Sequence, residues 1–209
     1  MTAAPPDATQ AAPARAPVVV GISGSSGAVL AARAVEVLAA LGVPMHLTYT
    51  PACRQVWPDE LGRPLNDDLA EWKRRFRVRV FNPDDFRAPM SSGSFHTAGM
   101  IVIPCSMRTV SAIAVGASSN LLERAADVTL KEGRPLVLVP RETPLSAIHL
   151  ENLLKLARLG VRIVPPHPPF YLRPRTTEEL VDLMVRRALV SLGIEEALAA
   201  DQRWRGDEE

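Results

Sequence analysis

Serine, threonine and arginine side chains gather where apolar runs of the chain break off. Ser25 and Ser26 follow the run VVVGI, Thr50 closes VPMHLTYT, Ser106, Arg108 and Thr109 follow GMIVIP, and Arg141 follows PLVLVP. Hydroxyls and guanidinium groups are natural partners for phosphate and polyol oxygens, the guanidinium through paired charge-assisted donors. Glu142, next to Arg141 and between Pro140 and Pro144, is the single carboxylate of the set. Beside a bound anion its pKa rises and it becomes a proton donor; as a helix-capping acid it would stand outside any site. The inventory therefore points to a phosphorylated ligand that also carries hydroxyls.

The stretch VVVGISGSSG, residues 18–27, organises the rest. A β-branched run enters a turn made of Gly and Ser, and an Ala-rich helical segment follows. Such a junction offers unpaired N–H groups and the positive end of a helix dipole to an anion. Its glycines fall at 21, 24 and 27, giving G-x-x-G-x-x-G where the dinucleotide fingerprint is G-x-G-x-x-G. A tight turn that needs small residues accounts for the same spacing. The second apolar run ends in Thr48, Tyr49 and Thr50, where a dinucleotide fold carries an acid for the ribose, and this argues against NAD.

Other chemistries find less support. His46, His96, His149 and His167 lack short ligand spacing, so they read as surface or loop residues and no metal is expected. No G-x-S-x-G elbow is present. Cys53 and Cys105 form neither a C-x-x-C pair nor a disulfide framework, which fits a reducing compartment. Cys105, at a run's end before a helix, is either a thiol of lowered pKa or a buried structural one. Arg187 borders the apolar stripe of the last helix, where it either snorkels outward or meets an anion or a partner chain.

Apolar spacing supplies the elements that must carry these groups. Strands are expected at 18–22, 43–50, 77–81, 99–104, 135–139 and 161–164. Helices are expected from Ala28 to Gly42, over 69–76, after Ser106 to Ala117, over 120–131, from Leu150 to Gly160, and after a capping Thr177. Residues 57–64 read as loop, as do 82–95 and the proline-rich 165–174. Alternating strands and helices imply a doubly wound, mostly parallel α/β sheet of flavodoxin-like or Rossmann-like type, with ligands beyond the carboxyl ends of the strands. The 209 residues suit one domain over 17–209, preceded by a disordered Ala/Pro-rich tail over 1–16. Net charge is +1 and aromatic content 5%, so neither nucleic acid nor a membrane surface is an expected partner. No apolar run nears the ~20 residues of a membrane span, and the expected location is cytoplasmic.

Several motifs then come together: GISGSSG at 21–27, SSGS at 91–94, PCS at 104–106, LERAADV at 122–128, KEGRPLVLVPRETP at 131–144, and Phe170 with Tyr171. In this order, over about residues 18–192, the chain resembles the UbiX-type flavin prenyltransferases. The resemblance implies transfer of a dimethylallyl group from dimethylallyl monophosphate to N5 and C6 of reduced FMN, without a metal. The product, prenylated FMN, serves a UbiD-type decarboxylase, and the enzyme is commonly a dodecamer with sites between subunits. Gly24, Ser25, Ser26, Thr50, Ser106, Met107, Arg108, Thr109 and Arg141 would contact FMN, with Ser26 near N5. Ser92, Gly93, Arg124, Lys131, Arg141 and Glu142 would hold the prenyl phosphate, with Tyr171 and Arg187 from a neighbouring subunit. Ser26, Glu60 and Glu142 would take catalytic roles, Glu60 in late proton removal and Glu142 as proton donor. An FMN-dependent cysteine decarboxylase of the same fold and a non-catalytic FMN-binding protein are the alternatives.

Overall fold

Runs of β-branched and long aliphatic residues, buried on both faces, make the strands of a computed structural model that describes residues 15–198. Of the expected tail over 1–16, all but Arg15 and Ala16 lie outside the described residues. The elements run β1 (Val18–Ile22), α1 (Ala28–Ala40), β2 (Met45–Tyr49), α2 (Cys53–Leu61), α3 (Leu65–Arg75), β3 (Val78–Val80) and β4 (Gly99–Cys105). They continue with α4 (Met107–Ala114), α5 (Leu121–Lys131), β5 (Leu136–Pro140), α6 (Ala147–Arg158), β6 (Arg162–Ile163) and α7 (Thr177–Leu192). The sheet order is β3-β2-β1-β4-β5-β6, every neighbour parallel. The expected doubly wound parallel sheet is thus present, and its order reverses between β1 and β4.

Alternation along each strand sends side chains into two cores. Val18, Val20, Ile22, Ile101 and Ile103 face α1, α7 and the indoles of Trp57 and Trp72. Val19, Met100, Val102 and Leu138 face α4, α5 and Leu156 of α6. Each fully buried aliphatic side chain contributes about 1.5–3 kcal/mol, so the sheet, and not the loops, fixes where the strands end.

Four readings need correction. Residues 57–61, expected in a loop, complete α2 despite Pro58. Proline forfeits one intrahelical hydrogen bond, but Trp57 is fully buried and its indole N–H donates to Asp68 Oδ2 at 2.8 Å. Arg63 Nε donates to the same carboxylate at 2.8 Å, so a buried acid on α3 ties the α2–α3 hairpin together. Accordingly α3 starts at Leu65, before the expected 69. His46 is neither surface nor loop: it is 5% exposed on β2, because both faces of that strand are covered. Its ring stacks on Phe95 (centroids 5.1 Å apart, 10° between planes) and leans on Phe81. The last helix is capped by Thr176, whose hydroxyl accepts from Glu179 N–H, one residue before the expected Thr177.

Candidate functional site

The reversal between β1 and β4 leaves a crevice at their carboxyl ends, where α/β sheets place ligands. Ser23 staples its two walls. Its N–H and Oγ–H both donate to Pro104 O, at 3.2 and 2.8 Å, and its Oγ accepts from Ser106 N–H at 2.7 Å. Gly24 then lies against the start of α2 so closely that a Cβ would stand 2.4 Å from Ala52 Cβ and 2.7 Å from Ala52 C. Only glycine fits there.

Opposite, Ser106 caps α4: its Oγ accepts from Thr109 N–H at 3.2 Å and lies 3.0 Å from Thr109 Oγ1. From β5, Arg141 N–H donates to Cys105 O at 3.2 Å, and Arg141 Nε reaches across to Ser26 O at 3.2 Å. The result is a cleft of about 410 Å³ lined by Gly24, Ser25, Ser26, Ser106, Met107, Arg108, Arg141 and Glu142, with Val56. A second cavity of about 350 Å³ shares Gly24, Ser106 and Arg108 with it and adds Thr50, Thr109, Asn120 and Glu123. All nine residues assigned to FMN by resemblance therefore line one continuous crevice, and Glu142 lies on its wall.

One observation there bears directly on a ligand. Ser25 Oγ is buried and without a hydrogen-bond partner among the described residues, an arrangement that leaves desolvation uncompensated unless a ligand or water meets it. Short hydroxyls, two guanidinium groups and a glycine-backed turn fit a flavin mononucleotide's phosphate and ribityl chain.

Glu60 stands just behind this loop. Helix α1 begins at Gly27, which has a left-handed backbone (φ 116°) and no side chain to cap with. The Glu60 carboxylate supplies the cap, accepting from Gly27 N–H at 2.9 and 3.0 Å and from Ala28 N–H at 2.7 Å. A carboxylate at a helix N-terminus is favourable on charge grounds as well. The residue so held is the neighbour of Ser26.

The remaining residues assigned to prenyl-phosphate binding form two separate groups. Ser92, Gly93, Arg124 and Lys131 gather where the segment after β3 crosses α5, with Arg124 Nε donating to Ser91 O at 3.1 Å. Lys131, ten residues along α5 from Leu121, is about 15 Å from the crevice end of that helix at 1.5 Å per residue. Tyr171 and Arg187 line a third cavity of about 480 Å³ with Met184 and Pro165. Neither group shares a lining residue with the crevice.

The strand end Ser23–Ser26 was expected at the site, whereas sequence reasoning missed Asn120 and Glu123 as parts of it. Glu123 is buried and its carboxylate accepts from Ser119 N–H and Asn120 Nδ2, both at 2.8 Å, which shapes the far wall. The S/N-x-x-E spacing of a capping box was the available signal. Cys105 is a structural thiol: it is fully buried, and burial pushes its pKa upward, so the reading of a lowered thiol pKa falls.

Comparison with known proteins agrees with this geometry. The Flavoprotein family model matches residues 8–189. The flavin prenyltransferase UbiX of Halalkalibacterium halodurans is 49% identical over 190 residues, covering 88% of this chain and 91% of the relative. The crystal structure of AnUbiX (PadA1) in complex with FMN and dimethylallyl pyrophosphate is 40% identical with a TM-score of 0.84, covering 92% of this chain and 98% of that one. A dodecameric FMN-dependent UbiX-like decarboxylase from Escherichia coli O157:H7 is 44% identical with a TM-score of 0.82, covering 90% of this chain and 99% of that one. By sequence, fold and the crevice at the β1–β4 reversal, the chain belongs to the UbiX-type flavin prenyltransferases of the Flavoprotein family.

Proposed function

We propose that this chain transfers a dimethylallyl group from dimethylallyl monophosphate to N5 and C6 of reduced FMN. The prenylated FMN then supplies a UbiD-type decarboxylase. The observation that carries the reading is the crevice itself, in which the nine flavin-assigned residues and Glu142 converge around the orphaned Ser25 hydroxyl. Reduced FMN is the acceptor substrate and contributes the nucleophilic nitrogen and carbon.

The chain's own groups serve the donor. Breaking the allylic C–O bond sends its electron pair out with the phosphate. Arg124, Lys131 and Arg141 offset that growing negative charge without a metal, and Glu142 passes a proton to the departing oxygen. Ser26 would stand beside flavin N5. Glu60, through Gly27 and Ala28, fixes the turn that carries Ser26, and the released phosphate takes the proton lost on ring closure.

A complete donor site requires more than one copy of the chain, because the Ser92–Lys131 and Tyr171–Arg187 groups lie apart from the crevice. Helix α6 supports such assembly. Among its side chains Leu156 is buried, whereas Ile148 is 68% exposed and Leu150 and Leu154 are exposed too. Leu150 and Leu154, four residues apart, share one exposed side of the helix, and an apolar stripe of this kind marks a protein contact. We take the assembly to be a homo-oligomer, dodecameric like the Escherichia coli relative, with residues 17–209 as one domain. Among the described residues no helix is long and apolar enough to cross a membrane. Two unpaired, buried thiols support a cytoplasmic location.

The test is anaerobic incubation of the protein with reduced FMN and dimethylallyl monophosphate, followed by mass spectrometry. A flavin that gains a C5H8 unit is the expected result. No gain with either the monophosphate or the diphosphate overturns the assignment, and turnover of a cysteine peptide replaces it with a decarboxylase.

A further inference from the structure

We propose that Arg134 is the positioning residue of the donor half-site, fixing the Ser92–Gly93 segment against Lys131. The proposal rests on the prenyl-transfer reading above, which makes Ser92 and Lys131 phosphate ligands.

Arg134 lies in the turn between α5 and β5, where an arginine is ordinarily exposed, yet its side chain is only 13% exposed. It is consumed by the segment after the 3-10 turn at Pro89–Ser91. Nη2 donates to Gly93 O at 2.7 Å; Nη1 donates to Phe95 O at 2.8 Å and to Thr97 Oγ1 at 3.3 Å. Two short charge-assisted bonds to alternate carbonyls use the planar fork of a guanidinium, which a lysine cannot reproduce. The same segment is held at its start by Arg124, through Ser91 O, and in its middle by the Phe95 ring on buried His46.

What the clamp achieves is visible at Gly93. A Cβ there would stand 2.1 Å from Glu132 Oε1 and 2.7 Å from Lys131 Nζ. The backbone there lies close against the ends of the paired Lys131 and Glu132 side chains. The Ser92 hydroxyl, 2.9 Å from Ser94 Oγ, is exposed beside it. An anion binding to Ser92 and Lys131 together needs both at a fixed separation. Without Arg134 the segment would have to be ordered by the donor itself, and that ordering would be charged against donor affinity. The crevice uses no atom of this segment, so flavin binding should be indifferent.

Steady-state kinetics of Arg134→Met and Arg134→Lys, with donor and FMN varied separately, test this. The expected result is a KM for dimethylallyl monophosphate raised roughly tenfold to hundredfold in Arg134→Met, a smaller rise in Arg134→Lys, and a KM for FMN within about twofold. Amide exchange should quicken at 93–97 and stay unchanged in β1 and β4. Parallel rises in both KM values, or an unchanged donor KM in a folded variant, overturn the proposal. If the wild-type protein transfers no prenyl group, the functional reading has failed instead. Amide exchange then decides the clamp alone: unchanged exchange at 93–97 overturns it.

Discussion

In the crevice, polar groups gather at the ends of buried strands; in the Ser91–Lys131 patch, they sit on a loop segment and along one helix. The crevice is fixed by the sheet. Ser23 joins β1 to β4 with three hydrogen bonds, and Arg141 joins β5 to the loop after β1. The patch is fixed by clamps: Arg124 on Ser91 O, Arg134 on Gly93 and Phe95 O. Buried strand ends lose little entropy on meeting a ligand, whereas exposed lysine and arginine side chains lose more. A large, rigid ligand such as a flavin, which is met along its whole length, suits the first. A small phosphate ester, which must arrive and leave every turnover, suits the second.

The largest expected effect breaks the two regions apart physically. Leu150→Asp with Leu154→Asp puts charge on the exposed apolar face of α6. Size-exclusion chromatography with light scattering should show smaller species, and prenyl transfer should fall by about a hundredfold or more as donor groups lose their partners. An assembly unchanged in size removes α6 from the contact. Transfer that survives dissociation would mean one chain holds a whole donor site.

Within the crevice, Glu142→Gln is expected to separate binding from chemistry. The carboxylate lies on the wall, where it accepts a local hydrogen bond from Thr143 N–H at 3.0 Å. FMN should bind as before, measured by flavin fluorescence, while single-turnover transfer slows about a hundredfold, the usual scale of a lost general acid. Unchanged transfer excludes Glu142 from the mechanism.

How far the sequence revealed each region follows the same division. Strand ends were readable because VVVGI and GMIVIP are unbroken apolar runs, and the hydroxyls after them then had to share one edge of the sheet. That brought Ser25, Ser26, Thr50, Ser106, Arg108, Thr109 and Arg141 to one edge; Gly24 and Met107 came only with the family resemblance. What escaped were interactions over long chain separations. Helix α2 hides behind Pro58 and Gly62, because the Trp57–Asp68 bond that outweighs them joins separate helices. The Glu60 cap spans 33 residues, and the Arg134 clamp about 40. Nothing in LGRPL or KEGRPL announces either partner.

His46 is the instructive miss, and it carries the smallest prediction. A lone histidine in MHLTY does not reveal that both strand faces are covered. Burial, with help from the Arg79 charge, lowers its pKa from 6.5 to about 4, and its Nδ1 is buried without a partner among the described residues. The fold therefore holds a neutral imidazole. Its stability contribution is complete above the unfolded value of 6.5 and is lost as pH falls from there toward about 4, because the unfolded chain takes up the proton first. His46→Phe keeps a ring beneath Phe95 but has no proton to gain. Between about pH 7 and pH 5 the wild-type melting temperature should drop more than the variant's, by a few degrees. The extra loss should appear as faster amide exchange at 93–97, above the stacked ring, and not at Ser23 or Ser106. Equal slopes would show that His46 does not titrate with unfolding. A loss spread evenly over crevice and patch would show that the two regions are one cooperative unit, since the imidazole's ring contacts are with Phe95 of the patch and Phe81 after β3 and not with the crevice.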